Sequence, residues 1–386
     1  MRGWSELAPY NFIHALRLEE PLDLVAWRRA TEAALQSLEL GTAPVMVETP
    51  SLEIDQQLDR ELNRAFAPGE LPVRFFALHA AGGHWFGVVL DHWVADDFSA
   101  RALLERIYAL RQSRELPPLR RAAIFRARKN LWREGSAFLR QARGLRRAAR
   151  PSYRDPLDFT ARCFQSELPA SALEAVRQLA RRQHATIHDV FLAAAAQACG
   201  AMHLWKNGAR RDSIGVASAM DLRRFLAEPA HAEFGLLISE YSIAEPHPEN
   251  VSLPELVGKI ATKTCRLKKI SNSAVPAAGW LFWRLARSRS SQATMFQRGA
   301  PLMAGLSNVN LSGSWLETEP IAEFRRVVTT GPAVPIVLMI TTRRGRIFVD
   351  TTYRTTAFTR ADAENLLADF GRRLLADAYQ PLPGSA

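Results

Sequence analysis

Strand-like and helix-like patterns alternate along this chain and restart halfway, which limits the fold to α/β architectures with more than one sheet. In the first half, NFIHALRLEE reads as a strand and LDLVAWRRATEAALQSL as a helix with Leu24, Trp27, Leu35 and Leu38 on one face. PVRFFALHA and HWFGVVLDH read as a strand pair around Ala81-Gly82-Gly83, and FSARALLERIYALRQ as the next helix. In the second half, RCFQSELP and ASALEAVRQLARRQ repeat the strand-helix order. Thr186 with Asp189 gives a helix start, and the apolar run after it reads as a buried helix. SIGVASAMDL, FGLLISEYSI and AGLSNVNLSG are strand candidates, as are PIVLMITTR and RIFVDTTY, which meet at Arg344-Gly345. A helix over Leu253–Ile270 and a closing helix, TRADAENLLADFGRRLLADA, complete the pattern.

Charge divides the chain more sharply than hydropathy does. Residues 119–154 carry twelve Lys or Arg and one acid, Glu134, and so account for the whole net charge of +11. Within this segment Ile124, Leu131, Trp132, Phe138, Leu139 and Leu145 recur between arginines, an amphipathic helix pattern interrupted by Gly135 and Gly144. A basic block of this kind suits an anionic partner: a phosphorylated cofactor, an acidic carrier protein or a membrane surface. A solvated arginine face is the plainer alternative. No nucleic-acid motif accompanies it, so no nucleic-acid partner is expected. The organisation read from the sequence is 1–118 as a first lobe, 119–154 as a basic linker and 155–386 as a second lobe.

Cys163, Cys199 and Cys265 are far apart and odd in number, which argues against a disulfide framework or a metal site. With no leader-like N-terminal run and no membrane-spanning stretch, the expectation is a cytoplasmic protein, peripheral at the membrane if the basic segment binds lipid. GWLFWRLARSR sets Trp280, Phe282 and Trp283 beside Arg284, Arg287 and Arg289, a composition that suits a membrane interface, a core helix or a tunnel wall.

The stretch that carries chemistry is VVLDHWVADDFSA. Of nine histidines only His92 has an aspartate four residues on, Asp96, and the pair lies between an apolar strand and a helix. A strand end can present a base rigidly to a cleft. This stretch resembles the HHxxxDG signature of the chloramphenicol acetyltransferase-like and peptide-synthetase condensation-domain superfamily. TIHDVFLAAAAQA, GVASAMDLRR, GLSNVNLSG and the final hairpin are similar to that superfamily's later elements, the third of them to wax-ester-synthase-like members. Asp91 stands where the signature has its first histidine, and Asp97 where it has glycine.

The resemblance implies two lobes, each a mixed sheet with flanking helices, and an active site between them. His92 would be the catalytic base and Asp96 the residue that structures its loop through an arginine, with Arg17 and Arg74 as candidates. Asp97 would line the mouth of the site, and Ser307 and Asn308 would donate to the oxyanion from a turn after their strand. The implied reaction moves an acyl group from acyl-CoA or an acyl-carrier protein to a hydroxyl or amine. Such a reaction needs a phosphopantetheine-linked or CoA-linked co-substrate and neither a resident cofactor nor a metal. The alternative is a non-catalytic condensation-like module that binds a carrier protein or a lipid surface. His84, His188, Asp221 and Arg223 are read as structural, the last two as an internal ion pair.

Overall fold

Near-continuous apolar strands must be covered on both faces, and the structure does this with two sheets. The computed structural model describes residues 2–40, 45–47, 52–80, 83–117, 119–121, 131–202, 211–225, 233–270, 285–286, 288–299 and 301–376. The first part runs α1 (Arg2–Leu7), β1 (Asn11–Leu18), α2 (Leu24–Gln36), β2 (Val45–Val47), α3 (Ile54–Asn63), β3 (Val73–Ala80), β4 (Gly83–Asp91) and α4 (Asp97–Arg111). The basic segment holds β5 (Arg120–Arg121) and α5 (Leu131–Leu145). There follow β6 (Ala161–Glu167), α6 (Ala172–Arg182), α7 (Ile187–Ala201), β7 (Ser213–Asp221), β8 (Glu233–Phe234), β9 (Ile238–Pro246) and α8 (Leu253–Leu267). The chain continues through α9 (Arg289–Gly299), β10 (Ala304–Asn310), α10 (Trp315–Thr318), β11 (Ile321–Val328), β12 (Ile336–Arg343), β13 (Arg346–Arg354) and α11 (Arg360–Ala376).

The first sheet has the order β11-β1-β4-β3-β2 and the second β6-β13-β12-β10-β7-β9, with β5 and β8 forming a small parallel pair. The α/β class with two mixed sheets is therefore as expected. The boundary at residue 155 does not divide the strands, because β11 leaves the second half to pair with β1 in the first sheet, Phe12 opposite Val328 and Leu16 opposite Phe324. The edge of β1 not paired with β4 is satisfied by β11.

Period-2 alternation sorts the first sheet's faces. Phe12, Leu16, Phe86, Val88 and Leu90 join α2 and α4 in one core, together with Ala217, Val337 and Met339 from the second half. Ile13, Ala15, Trp85 and Val89 face Leu58 and Leu62 of α3. Gly87 is required here: a Cβ would lie 2.2 Å from the Phe76 ring. In the second sheet's core, α7 is buried along its length, and Thr186 caps it by accepting from the Asp189 N–H. The β12–β13 hairpin turns at Arg344 and Gly345, both with positive φ. The expected Ala81–Gly82 turn, Ile124 and the tryptophans of the 278–284 stretch lie outside the described residues. No helix among the described residues is long and apolar enough to cross a membrane.

Candidate active site

β4 ends at Asp91, and His92 is the next residue. Its backbone N–H donates to Tyr10 O at 2.9 Å, which extends the β1–β4 register by one step. Its ring stacks on Tyr10 and Phe12, with centroids 5.1 and 5.2 Å away and planes 25° and 21° apart. Nδ1 lies 3.1 Å from the Ala95 carbonyl. A carbonyl only accepts, so the Nδ1 proton points there and the Nε2 lone pair is left without a hydrogen-bond partner among the described residues. His92 is 9% exposed, and burial lowers its pKa, with the Ala95 hydrogen bond and Asp96 opposing. A neutral imidazole with a fixed tautomer and a bare Nε2 is what a general base requires.

Asp96 does not touch His92's ring. It caps α4 by accepting from the Ser99 N–H at 3.0 Å, and it accepts from the Leu237 N–H at 2.8 Å. Its arginine is Arg223, whose Nη1 and Nη2 meet the two carboxylate oxygens at 2.8 and 3.0 Å. This corrects the expectation of Arg17 or Arg74. Arg17 pairs with Glu323 at 2.8 Å, and Arg74 with Glu61 at 3.0 Å. Both sit on the α3 face of the first sheet, the face opposite α4, so neither can reach the His92 loop. Arg223 ends the DLR run after β7 and also stacks on Phe98, 4.3 Å from its centroid. It touches Asp221 at 3.3 Å, so the expected internal pair exists but is secondary to the bidentate one. The Asp96–Arg223 pair fastens the His92 loop to the second sheet.

Asp97 is not a free charge at the mouth of a site. Its Oδ1 accepts from Arg326 Nη1 at 2.5 Å and faces His14 Nε2 at 3.1 Å, and its Oδ2 accepts from Arg101 Nε at 2.9 Å. Burial would raise the Asp97 pKa, but Arg326, Arg101 and His14 together hold it well below the ordinary carboxylate value. Arg326 is fully buried and also reaches Ile340 O at 2.9 Å, Thr341 Oγ1 at 3.0 Å and Ser307 O at 3.5 Å. It joins α4, β11 and β10.

Ser307 and Asn308 lie within β10, opposite Met339 and Ile340, and not in a turn after it. Ser307 is tied to the His92 loop through Arg326, which reaches both its carbonyl and Asp97. Asn308 Oδ1 is a buried acceptor without a partner among the described residues. Glu240 was missed by sequence reading. It lies on the face of β9 opposite Tyr241 and Ile243, its charge raises the Tyr10 pKa after burial itself, and Tyr10 stacks on His92. A lone acid in the apolar run LLISEYSI was the available signal. His84 pairs across the hairpin with His79, Nδ1 to Nδ1 at 2.9 Å, and His188 meets Ser218 Oγ at 2.7 Å.

The site makes stability pH-dependent. Burial drives the His14 pKa down to about 4 against the ordinary 6.5, while Asp97 opposes. The folded state thus holds fewer protons than the unfolded one in that window. Stability is complete above about pH 6.5 and falls as pH drops toward about 4, by roughly 3 kcal/mol for this group alone. Melting temperatures at pH 7 and pH 5 are expected to differ less in His14→Gln than in the parent. An equal or larger difference contradicts the assignment.

Solved structures superimpose over almost the whole chain. The condensation domain of the monacolin K polyketide synthase MokA matches with a TM-score of 0.69 at 13% identity, covering 98% of this chain and 95% of that one. The fold is that of a condensation domain. The trichothecene 15-O-acetyltransferase TRI3 of Fusarium sporotrichioides shares it at TM-score 0.68 and 12% identity, with 96% and 92% covered. So does the epimerization domain from the third module of tyrocidine synthetase B, at TM-score 0.60 and 12% identity, with 96% and 92% covered. No family model matches the chain, and no curated protein matches it. The condensation-domain fold thus hosts several chemistries, and function rests on the residues around His92.

Proposed function

We propose that the protein is an acyltransferase that moves an acyl group from a thioester, acyl-CoA or an acyl-carrier protein, to a hydroxyl or amine, with His92 as general base. The observation that carries this reading is the clamped, neutral His92 with Nδ1 committed to Ala95 O and Nε2 free. As the acceptor attacks the thioester carbonyl, Nε2 takes its proton. The tetrahedral oxyanion collapses, the C–S bond breaks, and the thiolate recovers the proton from the imidazolium. Ser307 and Asn308 are the proposed oxyanion donors, the hydroxyl of one and the Nδ2 group of the other. Asp96 with Arg223 fixes the loop, and Arg326 neutralises Asp97, which would otherwise oppose a developing oxyanion. The reaction balances without a resident cofactor.

Release of free thiol from acyl-CoA or acyl-phosphopantetheinyl carrier, dependent on added alcohols or amines, tests the reading. Acceptor-dependent release from either donor is expected. Absence of release with both donors across acceptor panels contradicts it. One observation favours a second reading, a non-catalytic module: Asp97 and its three partners fill a position where the similar signature has glycine. A chain that binds acyl-carrier protein without ever releasing thiol would establish that alternative.

Because the His92 pKa lies below the ordinary imidazole value, the base stays neutral at mildly acid pH. Transfer rates are expected to hold at pH 6.5 and decline only at lower pH. A rate already halved at pH 6.5 would contradict the burial-lowered base.

A further inference from the structure

α5 has two unlike faces. One is fixed to the second sheet: Ala137 and Leu145 are buried, and Gln141 Oε1 accepts from the Ser242 N–H of β9 at 2.8 Å. A Cβ on Gly144 would lie only 3.7 Å from Ala244. The helix is therefore held against the body and cannot turn over. Its outer face carries Trp132, 90% exposed, and Leu139, 56% exposed. They are seven residues apart, two turns along the same side.

Arg140, Arg143 and Arg146 are exposed on the same stretch of chain. The helix has one acid, Glu134, and it is 3% exposed, so the outer face bears one sign of charge. A large indole and a leucine held in water among arginines are unfavourable for an isolated surface. They are favourable where headgroup phosphates meet acyl chains, since indole and leucine enter the interface and guanidinium groups pair with phosphate.

We propose that α5 docks the protein on an anionic lipid surface, with Trp132 and Leu139 entering the headgroup layer and Arg140, Arg143 and Arg146 facing lipid phosphates. The helix is held against the body, since Gln141 and Gly144 of its inner face meet Ser242 and Ala244 of β9. Charge complementarity alone would also attract an acidic protein. The two apolar side chains two turns apart on a fixed helix select the planar surface.

Flotation of the full chain with phosphatidylcholine vesicles, with and without phosphatidylserine, tests this independently of any acyl transfer. The chain is expected to float with the anionic vesicles, far less with the neutral ones, and less as salt rises. R140Q/R143Q/R146Q is expected to lower the partition about a hundredfold, each arginine contributing about fivefold near an anionic surface. Trp132→Ser is expected to lower it as well, with salt dependence kept. Unchanged melting temperatures show that both variants fold, since all four side chains are exposed. The proposal is overturned if the parent does not float, if the triple variant floats as the parent does, or if the arginines matter only in titrations with an acyl-carrier protein.

Discussion

His92→Ala is expected to lower acyl transfer by about 10²–10⁴, the usual contribution of a positioned base, and to leave the fold intact. The ring stacks on Tyr10 and Phe12 just beyond the end of β4, so its removal leaves the β1–β4 pairing in place. The loss is expected in kcat and kcat/KM together, because proton transfer occurs in the transition state. His92→Gln restores polarity but not basicity and is expected to be as inactive. Rates from both variants against the parent, with melting temperatures alongside, decide the matter. Near-parental transfer by either variant ends the mechanism.

Asp96→Ala is expected to have the largest effect on stability. Asp96 is fully buried and holds four donors, two from Arg223 and the N–H groups of Ser99 and Leu237. Its loss leaves the Arg223 guanidinium, beside Phe98, Ser99 and the Glu233 carbonyl, with only the half-exposed Asp221 as counter-charge. Breaking a buried pair in this way costs about 3–5 kcal/mol. Asp97→Ala is expected to cost less, about 1–3 kcal/mol, because Arg326 keeps three other acceptors. Arg223→Met, which keeps the packing on Phe98, should resemble Asp96→Ala, and the double variant should be better than the sum of the two. Denaturant melts of the four proteins test the order. A less stable Asp97→Ala, or strict additivity, refutes the pairing.

The elements were legible because their periodicities were strong. Strand alternation in HWFGVVLDH and the Thr186–Asp189 cap read directly into β4 and α7. His92 and Asp96 were legible through one spacing in one context. Arg223 was not, because an ion pair across 127 positions leaves no periodic trace. Arg17 and Arg74 were attractive for being on the right strands, but strand parity puts both on the α3 face. α5 shows the same limit. Its apolar residues suggested a buried stripe broken at Gly135 and Gly144, yet the helix runs through both glycines and leaves Trp132 and Leu139 outside. Spacing identifies a helix; only its neighbour, here β9, decides which side is the inside.

The pairing of β11 with β1 bears on how the chain acquires its shape during synthesis. β1 leaves the ribosome about 300 residues before Ile321–Val328 does. Until then β1 exposes a row of unpaired backbone groups along Phe12–Leu18, a ready template for another chain. A nascent chain of this topology must carry that open edge until β11 emerges. At about 5–20 residues per second the delay is on the order of tens of seconds. Fragments that stop before Ile321 should therefore aggregate rather than form a half-molecule. Helper proteins that shield strand edges should matter more to this chain than to one whose neighbouring strands are also neighbours in sequence.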